Sequence, residues 1–143
     1  MTRTHTHVSN RLHCIFSTKN REKTIQKDVQ TRLWAYMDGI AKRIGVKTFA
    51  IGGIEDHVHL LIALPPTLAL ATAMQKIKAN SSRYMNQHGG PRFEWQENYS
   101  AFSVSISHMD ATIAYIQNQE KHHQRWSYAD ELAQILSKHG MEE

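Results

Sequence analysis

A chain of 143 residues is long enough for one domain with a proper core and too short for two. With 41% hydrophobic and 21% charged residues it is globular. No apolar run reaches the ~20 residues that span a bilayer, and the start, Met1-Thr2-Arg3-Thr4-His5-Thr6-His7, has no apolar signal-peptide core, so a cytoplasmic location and no membrane partner are expected. Residues 1–92 carry 14 Lys and Arg against 5 Asp and Glu, whereas residues 93–143 carry 3 against 8. A basic body with an acidic C-terminal part suits a polyanion such as nucleic acid. The single cysteine, Cys14, excludes an internal disulfide and reads as a buried small hydrophobe.

In chain order, residues 8–18 alternate as a first strand, with Leu12, Cys14 and Phe16 on one face and His13, Ile15 and Ser17 on the other. A basic turn follows, holding Lys19, Arg21, Lys23 and Lys27. Over residues 24–44, Ile25, Val29, Leu33, Tyr36, Met37, Ile40 and Ile44 recur at helical spacing and Gly45 supplies a stop. Residues 46–54 make a second strand whose Gly52-Gly53 permits a bulge or a close approach. The short Glu55-Asp56 turn joins it as a hairpin to a third strand, His57-Val58-His59-Leu60-Leu61-Ile62-Ala63-Leu64, closed by Pro65-Pro66.

Thr67 can cap a second helix with the stripe Leu70, Met74, Ile77, Ser81, Tyr84 and Met85. Its other face carries Lys76, Lys78, Asn80, Ser82 and Arg83, residue types that contact phosphates and that equally make an ordinary solvated face. After Gly89-Gly90-Pro91, residues 99–107 alternate as a fourth strand. A helix covers residues 110–123 and a last one residues 128–138. The order is a split βαββαβ unit with added C-terminal helices, an α+β, ferredoxin-like fold in one domain. In it the first and third strands are central and the fourth lies at an edge. Helices one and two cover one sheet face, so a C-terminal helix is expected over the other.

The period of two puts His57 and His59 side by side on one face of the third strand, with Val58, Leu60, Ile62 and Leu64 on the opposite, core-facing side. Such a pair has the geometry of a partial metal site, and also that of hydrogen-bonded core histidines. Tyr115 and Gln119 are four apart on one helical face. A tyrosine hydroxyl is a nucleophile once it loses its proton, and an amide oxygen is a tolerable metal ligand.

These motifs together resemble the single-tyrosine HUH transposases of bacterial insertion sequences (the transposase IS200-like family) and their relatives at repeated palindromic elements. The resemblance runs from about Val8 to Leu136. It rests on Asp56-His57-Val58-His59-Leu60-Leu61, Ile77-Lys78-Ala79-Asn80-Ser81-Ser82-Arg83, Trp95-Gln96-Glu97-Asn98-Tyr99-Ser100-Ala101-Phe102-Ser103-Val104-Ser105, and Tyr115-Ile116-Gln117-Asn118-Gln119 followed by His122-His123. The family often has Gly where Asn98 stands. The resemblance implies that His57, His59 and Gln119 hold a divalent ion, Mg2+ or Mn2+, and that Tyr115 is the nucleophile. It further implies cleavage and rejoining of single-stranded DNA at hairpin-containing ends through a 5′-phosphotyrosine link, with no need for ATP.

Candidate DNA contacts are Lys76, Lys78, Asn80, Ser82, Arg83, Arg21 and Lys23. A homodimer with shared sites is expected, because the fourth strand lacks the lysines and prolines that normally block edge pairing. No general base stands out. The alternatives are a rolling-circle replication initiator, a non-catalytic RNA- or ssDNA-binding module of the same strand order, and a structural zinc protein. The last is poorly served by two histidines and a glutamine without clustered cysteines.

Overall fold

The computed structural model describes residues 6–88 and 92–142. The elements are β1 (Arg11–Ser17), α1 (Lys27–Arg43), β2 (Lys47–Ile54), β3 (His57–Ala63), α2 (Leu70–Gln87), β4 (Ser100–Ser103), α3 (Met109–Gln117), α4 (Gln119–His122) and α5 (Tyr128–Lys138), with short 3-10 turns at Lys19–Arg21 and Ile106–His108. All four strands pair antiparallel in the order β2-β3-β1-β4, the ferredoxin-like arrangement that the βαββαβ order implies. Among the described residues no helix is long and apolar enough to cross a membrane.

The strand periodicity divides the sheet as expected. Val58, Leu60 and Ile62 of β3 and Cys14 and Phe16 of β1 are buried with Leu33, Met37 and Ile40 of α1 and Met74 and Ile77 of α2. Gly45 ends α1 in the left-handed region at φ 82°: its amide bonds the Lys42 carbonyl at 3.1 Å and the Val46 amide bonds Ala41 at 2.9 Å. That double closure satisfies two carbonyls that the helix end leaves open, and glycine alone adopts the dihedral without strain.

The opposite sheet face is roofed by the C-terminal helices. Ala50 and Leu61 pack on Met109 and Ile116 of α3, while Ile15 and Phe102 pack on Tyr128, Leu132 and Leu136 of α5. At ~1.5–3 kcal/mol for each fully buried large side chain, these residues hold α5 onto the sheet. Ser127 caps α5, its side chain accepting from the Asp130 amide at 3.1 Å.

Several expectations are corrected. The fourth strand ends at Ser103 rather than Ser107. Leu12 pairs with Ser103 and the Val104 amide reaches the Arg11 carbonyl at 2.9 Å, where β1 itself begins, so the remaining alternating residues have no ladder to join. Ser105 and Ser107 instead bond the His108 ring, and Ile106 is 74% exposed. The helix expected over residues 110–123 breaks at Asn118 (φ −104°, ψ 22°) into α3 and α4. Thr67 does not cap α2, whose N-cap is Ala69 with no side-chain bond. The irregularity of β2 falls between Thr48 and Ala50, not at Gly52-Gly53, so the glycines serve close approach rather than a bulge.

Candidate active site

The register sets Ser17 opposite His57, Ile15 opposite His59 and His13 opposite Leu61, so His13, His57 and His59 share the roofed face. All three rings are buried. The His57 Nε2 lies 3.0 Å from Gln119 Oε1 and 3.2 Å from Glu131 Oε1, and the His59 Nε2 lies 3.0 Å from the same Glu131 oxygen. His123, which follows α4, brings its Nε2 to 3.0 Å from Gln119 Oε1 and 3.1 Å from Glu131 Oε1. His57, His59, His123 and Glu131 can thus offer ligand atoms lying within 4.8 Å of one another.

Each imidazole is fixed from behind. The Nδ1 of His57 meets Asp56 Oδ1 at 2.7 Å, that of His59 meets His13 Nε2 at 2.8 Å, and that of His123 meets the Trp126 carbonyl at 2.5 Å. Partners of this kind select the tautomer and orientation of a metal-binding imidazole. The donor set therefore fits a divalent ion: imidazole nitrogens, one amide oxygen and one carboxylate converge, with ring orientations already set.

Tyr115 projects from α3 into the same site. Its hydroxyl donates to Glu131 Oε2 and lies 3.5 Å from His122 Nε2, and its ring stands edge-on to His59 at a centroid distance of 5.7 Å. Gln119 Nε2 also donates to Glu131 Oε2, at 3.2 Å. Electrostatics follow the packing. Burial, joined by the neighbouring His59, pushes His13 down to about 3, and burial takes His59 down to about 4. Burial opposes charge on His57 too, but bonds to the Asp56 and Glu131 carboxylates win and lift it to about 9. Burial and the Glu131 carboxylate raise the Tyr115 hydroxyl above its ordinary range. Glu131 is 1% exposed; burial opposes its charge, yet its bonds to His123, His57 and His59 keep it below the ordinary carboxylate range.

The four residues expected at the centre, His57, His59, Tyr115 and Gln119, are therefore brought together. The candidate DNA contacts of α2 are not: that helix packs on the opposite face of the sheet. Lys78 is tied to the Glu97 and Asn98 carbonyls at 3.0 and 3.2 Å, and Ser82 to the Phe93 carbonyl at 3.2 Å. Lys76 and Arg83 are exposed, and the Asn80 amide bonds the Lys76 carbonyl at 2.8 Å. Arg21 lies nearer the site, its guanidinium 5.1 Å from the Tyr128 ring, which packs on His57, while Lys23 is exposed.

Sequence reasoning gave no role to Glu131, His123, His13 or Asp56. The signal for Glu131 is legible in retrospect: it falls among Tyr128, Leu132, Ile135 and Leu136 on the inward stripe of α5, where a carboxylate needs a partner. His123 stands four residues after Gln119, on the same helical face.

This fold is shared with solved transposases. The structure resembles a candidate transposase from Deinococcus radiodurans R1, with 28% identity and a TM-score of 0.64 over 83% of this chain and 98% of that one. It also resembles a REP-associated tyrosine transposase bound to a REP hairpin, with 13% identity and a TM-score of 0.63 over 89% of this chain and 76% of that one, a likeness of fold alone. No curated protein matches the chain significantly. Residues 6–119 match the family described as Transposase IS200 like, and the chain belongs to it. The matched span ends at Gln119, so His123 and Glu131 lie outside it.

Proposed function

We propose that the protein is a metal-dependent HUH-type endonuclease and strand transferase acting on single-stranded DNA at hairpin-containing ends. The observation that carries this reading is the placing of Tyr115 beside the His57, His59 and Gln119 cluster on one sheet face, its ring against His59 and its hydroxyl on the Glu131 carboxylate that the histidines share. His57, His59 and Gln119 would hold Mg2+ or Mn2+, the imidazoles favouring Mn2+. When bound, such an ion neutralises charge on the phosphodiester and on the departing 3′ oxygen.

Tyr115 supplies the nucleophile. Because burial and Glu131 keep the hydroxyl protonated, its attack on phosphorus requires that the proton leave as the bond forms; in the resting site the hydroxyl is held by its hydrogen bond to Glu131 Oε2. The tyrosine oxygen–phosphorus bond forms and the phosphorus–O3′ bond breaks, with the electron pair and then a proton going to O3′. The products are a 5′-phosphotyrosine and a free 3′-hydroxyl. Attack by another 3′-hydroxyl reverses the exchange and joins new ends, so one phosphoester replaces another and no ATP is consumed.

A hairpin substrate is supported by the hairpin in the REP-associated structure and by the excess of basic residues in the first 92. Membership of a transposase family favours transposition over replication initiation. A stacking-type RNA reader is disfavoured, since the two central strands present histidines and aliphatics on the site face in place of stacked aromatics.

The expected homodimer is part of the proposal. β4 pairs with β1 alone among the described strands, and Ser100–Ser103 contains no lysine or proline to block its outer edge. In the single chain Tyr115 already meets its own histidine cluster, so sites shared between subunits would require α3 to dock on the partner.

The test is incubation with hairpin-flanked single-stranded DNA and Mn2+, scored as protein–DNA adducts that survive denaturation. Tyr115→Phe should abolish adducts while hairpin binding persists, and chelator should abolish them in the native chain. Adducts formed by Tyr115→Phe would move the nucleophile elsewhere. Co-expressed Tyr115→Phe and His57→Ala chains should regain cleavage in mixed dimers if sites are shared, and stay inactive if each chain uses its own tyrosine.

A further inference from the structure

The Glu131 carboxylate sits where three imidazoles point. Its Oε1 is 3.2 Å from His57 Nε2, 3.0 Å from His59 Nε2 and 3.1 Å from His123 Nε2. Two ligand atoms ~2.1 Å from one hard ion and at right angles to each other stand ~3.0 Å apart, so these separations are those of neighbouring ligands on a single octahedral ion. The 3.0 Å separations of Gln119 Oε1 from His57 and from His123 have the same length.

The hydrogen-bonding pattern points the same way. Asp56 and the Trp126 carbonyl are acceptors, so the rings of His57 and His123 donate through Nδ1 and turn their Nε2 atoms, the nitrogens left for an ion, toward Glu131 Oε1. The carboxylate also divides its two oxygens: Oε1 faces the imidazoles, while Oε2 receives Tyr115 and Gln119.

We infer that Glu131 Oε1 is itself a ligand of the divalent ion, so that α5 closes the metal centre. The inference rests on the metal-dependent reading above. It alters the chemistry of the site in two ways. His57, His59 and Gln119 form a neutral set, whereas a carboxylate ligand lowers the charge of the centre by one and strengthens its hold on a divalent ion. Glu131 stands on the helix anchored by Tyr128, Leu132 and Leu136, so ion loading and docking of α5 become one equilibrium. The nucleophile is included, because the second oxygen of the same carboxylate holds the Tyr115 hydroxyl.

The experiment is titration of the metal-free full chain with Mn2+, following the free-ion signal by electron paramagnetic resonance, with hydrogen exchange of α5 measured in parallel. Glu131→Gln keeps the shape and most hydrogen bonds but removes the charge. It should bind Mn2+ at least ~10-fold more weakly than the native chain, as should His57→Ala. In the native chain Mn2+ should slow exchange across residues 128–138, and in Glu131→Gln it should not. Equal or tighter Mn2+ binding by Glu131→Gln, with His57→Ala impaired, overturns the inference while leaving the function proposed above intact; the carboxylate would then be occupying the ion's place. Absence of Mn2+ binding by the native chain overturns the metal reading itself. Should Glu131→Gln fail to fold, the native chain decides alone, since unchanged α5 exchange with bound Mn2+ also refutes closure by Glu131.

Discussion

Gly52→Ala is a sharp test of how the sheet positions the tyrosine. Gly52 pairs with His59, so any side chain on it would rise toward α3, and a Cβ built there lies 2.4 Å from the Ile116 carbonyl oxygen. Backbone cannot yield as a side-chain tip does, so an ordinary contact is restored only if α3 lifts by ~1 Å. Overpacking of this kind costs ~1–3 kcal/mol, which for a chain of this size lowers Tm by about 3–12 °C. Tyr115 adjoins Ile116 and moves with it, and a misplacement of ~1 Å at a reacting group costs ~100-fold in rate. The assay pairs thermal melting by circular dichroism with the rate of adduct formation on hairpin DNA. Gly39→Ala is the control: it lies inside α1 with nothing within 4 Å of its added Cβ, and alanine there should stabilise by ~0.5–1 kcal/mol without touching the rate. Gly52→Ala with native Tm and an adduct rate within about twofold of native would refute the argument that close approach of α3 to β2 sets the tyrosine.

Three other outcomes follow from particular contacts. Ser81→Ala removes the acceptor of the buried Trp95 indole N–H, a 2.9 Å bond, and should cost ~1–3 kcal/mol in denaturant unfolding; a loss too small to measure would show that the indole finds another partner. Asp56→Asn weakens the grip on His57 Nδ1 and should reduce Mn2+ affinity by ~10-fold, an expectation that unchanged affinity by calorimetry would defeat. In the metal-free protein, His13 and His59 titrate at about 3 and about 4 against an ordinary 6.5, so the unfolded chain binds more protons and their stabilisation, complete above pH 6.5, is lost as the pH falls through that interval. His57 is shifted to about 9, so its contribution is complete below pH 6.5 and is lost as the pH rises through 9. Melting temperature should therefore peak near neutrality, and a steady rise from pH 4 to pH 10 would contradict the assigned environments.

Local chemistry determined much of this protein by itself. A period of two on β3 is enough to send Val58, Leu60 and Ile62 to one side and His57 and His59 to the other, because backbone geometry alone sets that alternation. The α1 stripe and its stop at Gly45 are equally local, since they depend on helical spacing and on one positive φ. The βαββαβ order follows from counting such elements, and the partnership of Tyr115 with Gln119 from a spacing of four. The tertiary structure decided where pairing stops and which groups meet. The alternation continuing past Ser103 has the composition of a strand, but a strand exists only where a neighbour supplies hydrogen bonds, and β1 begins at Arg11. His59 and Glu131 stand 72 positions apart, and nothing near either residue encodes their contact. They meet because α5 buries Tyr128, Leu132 and Leu136 against Ile15 and Phe102, and that docking carries a carboxylate into the imidazoles along with the apolar stripe. Periodicity says which face of a helix turns inward, but only the packing of that face against a particular strand says what its one charged residue will touch.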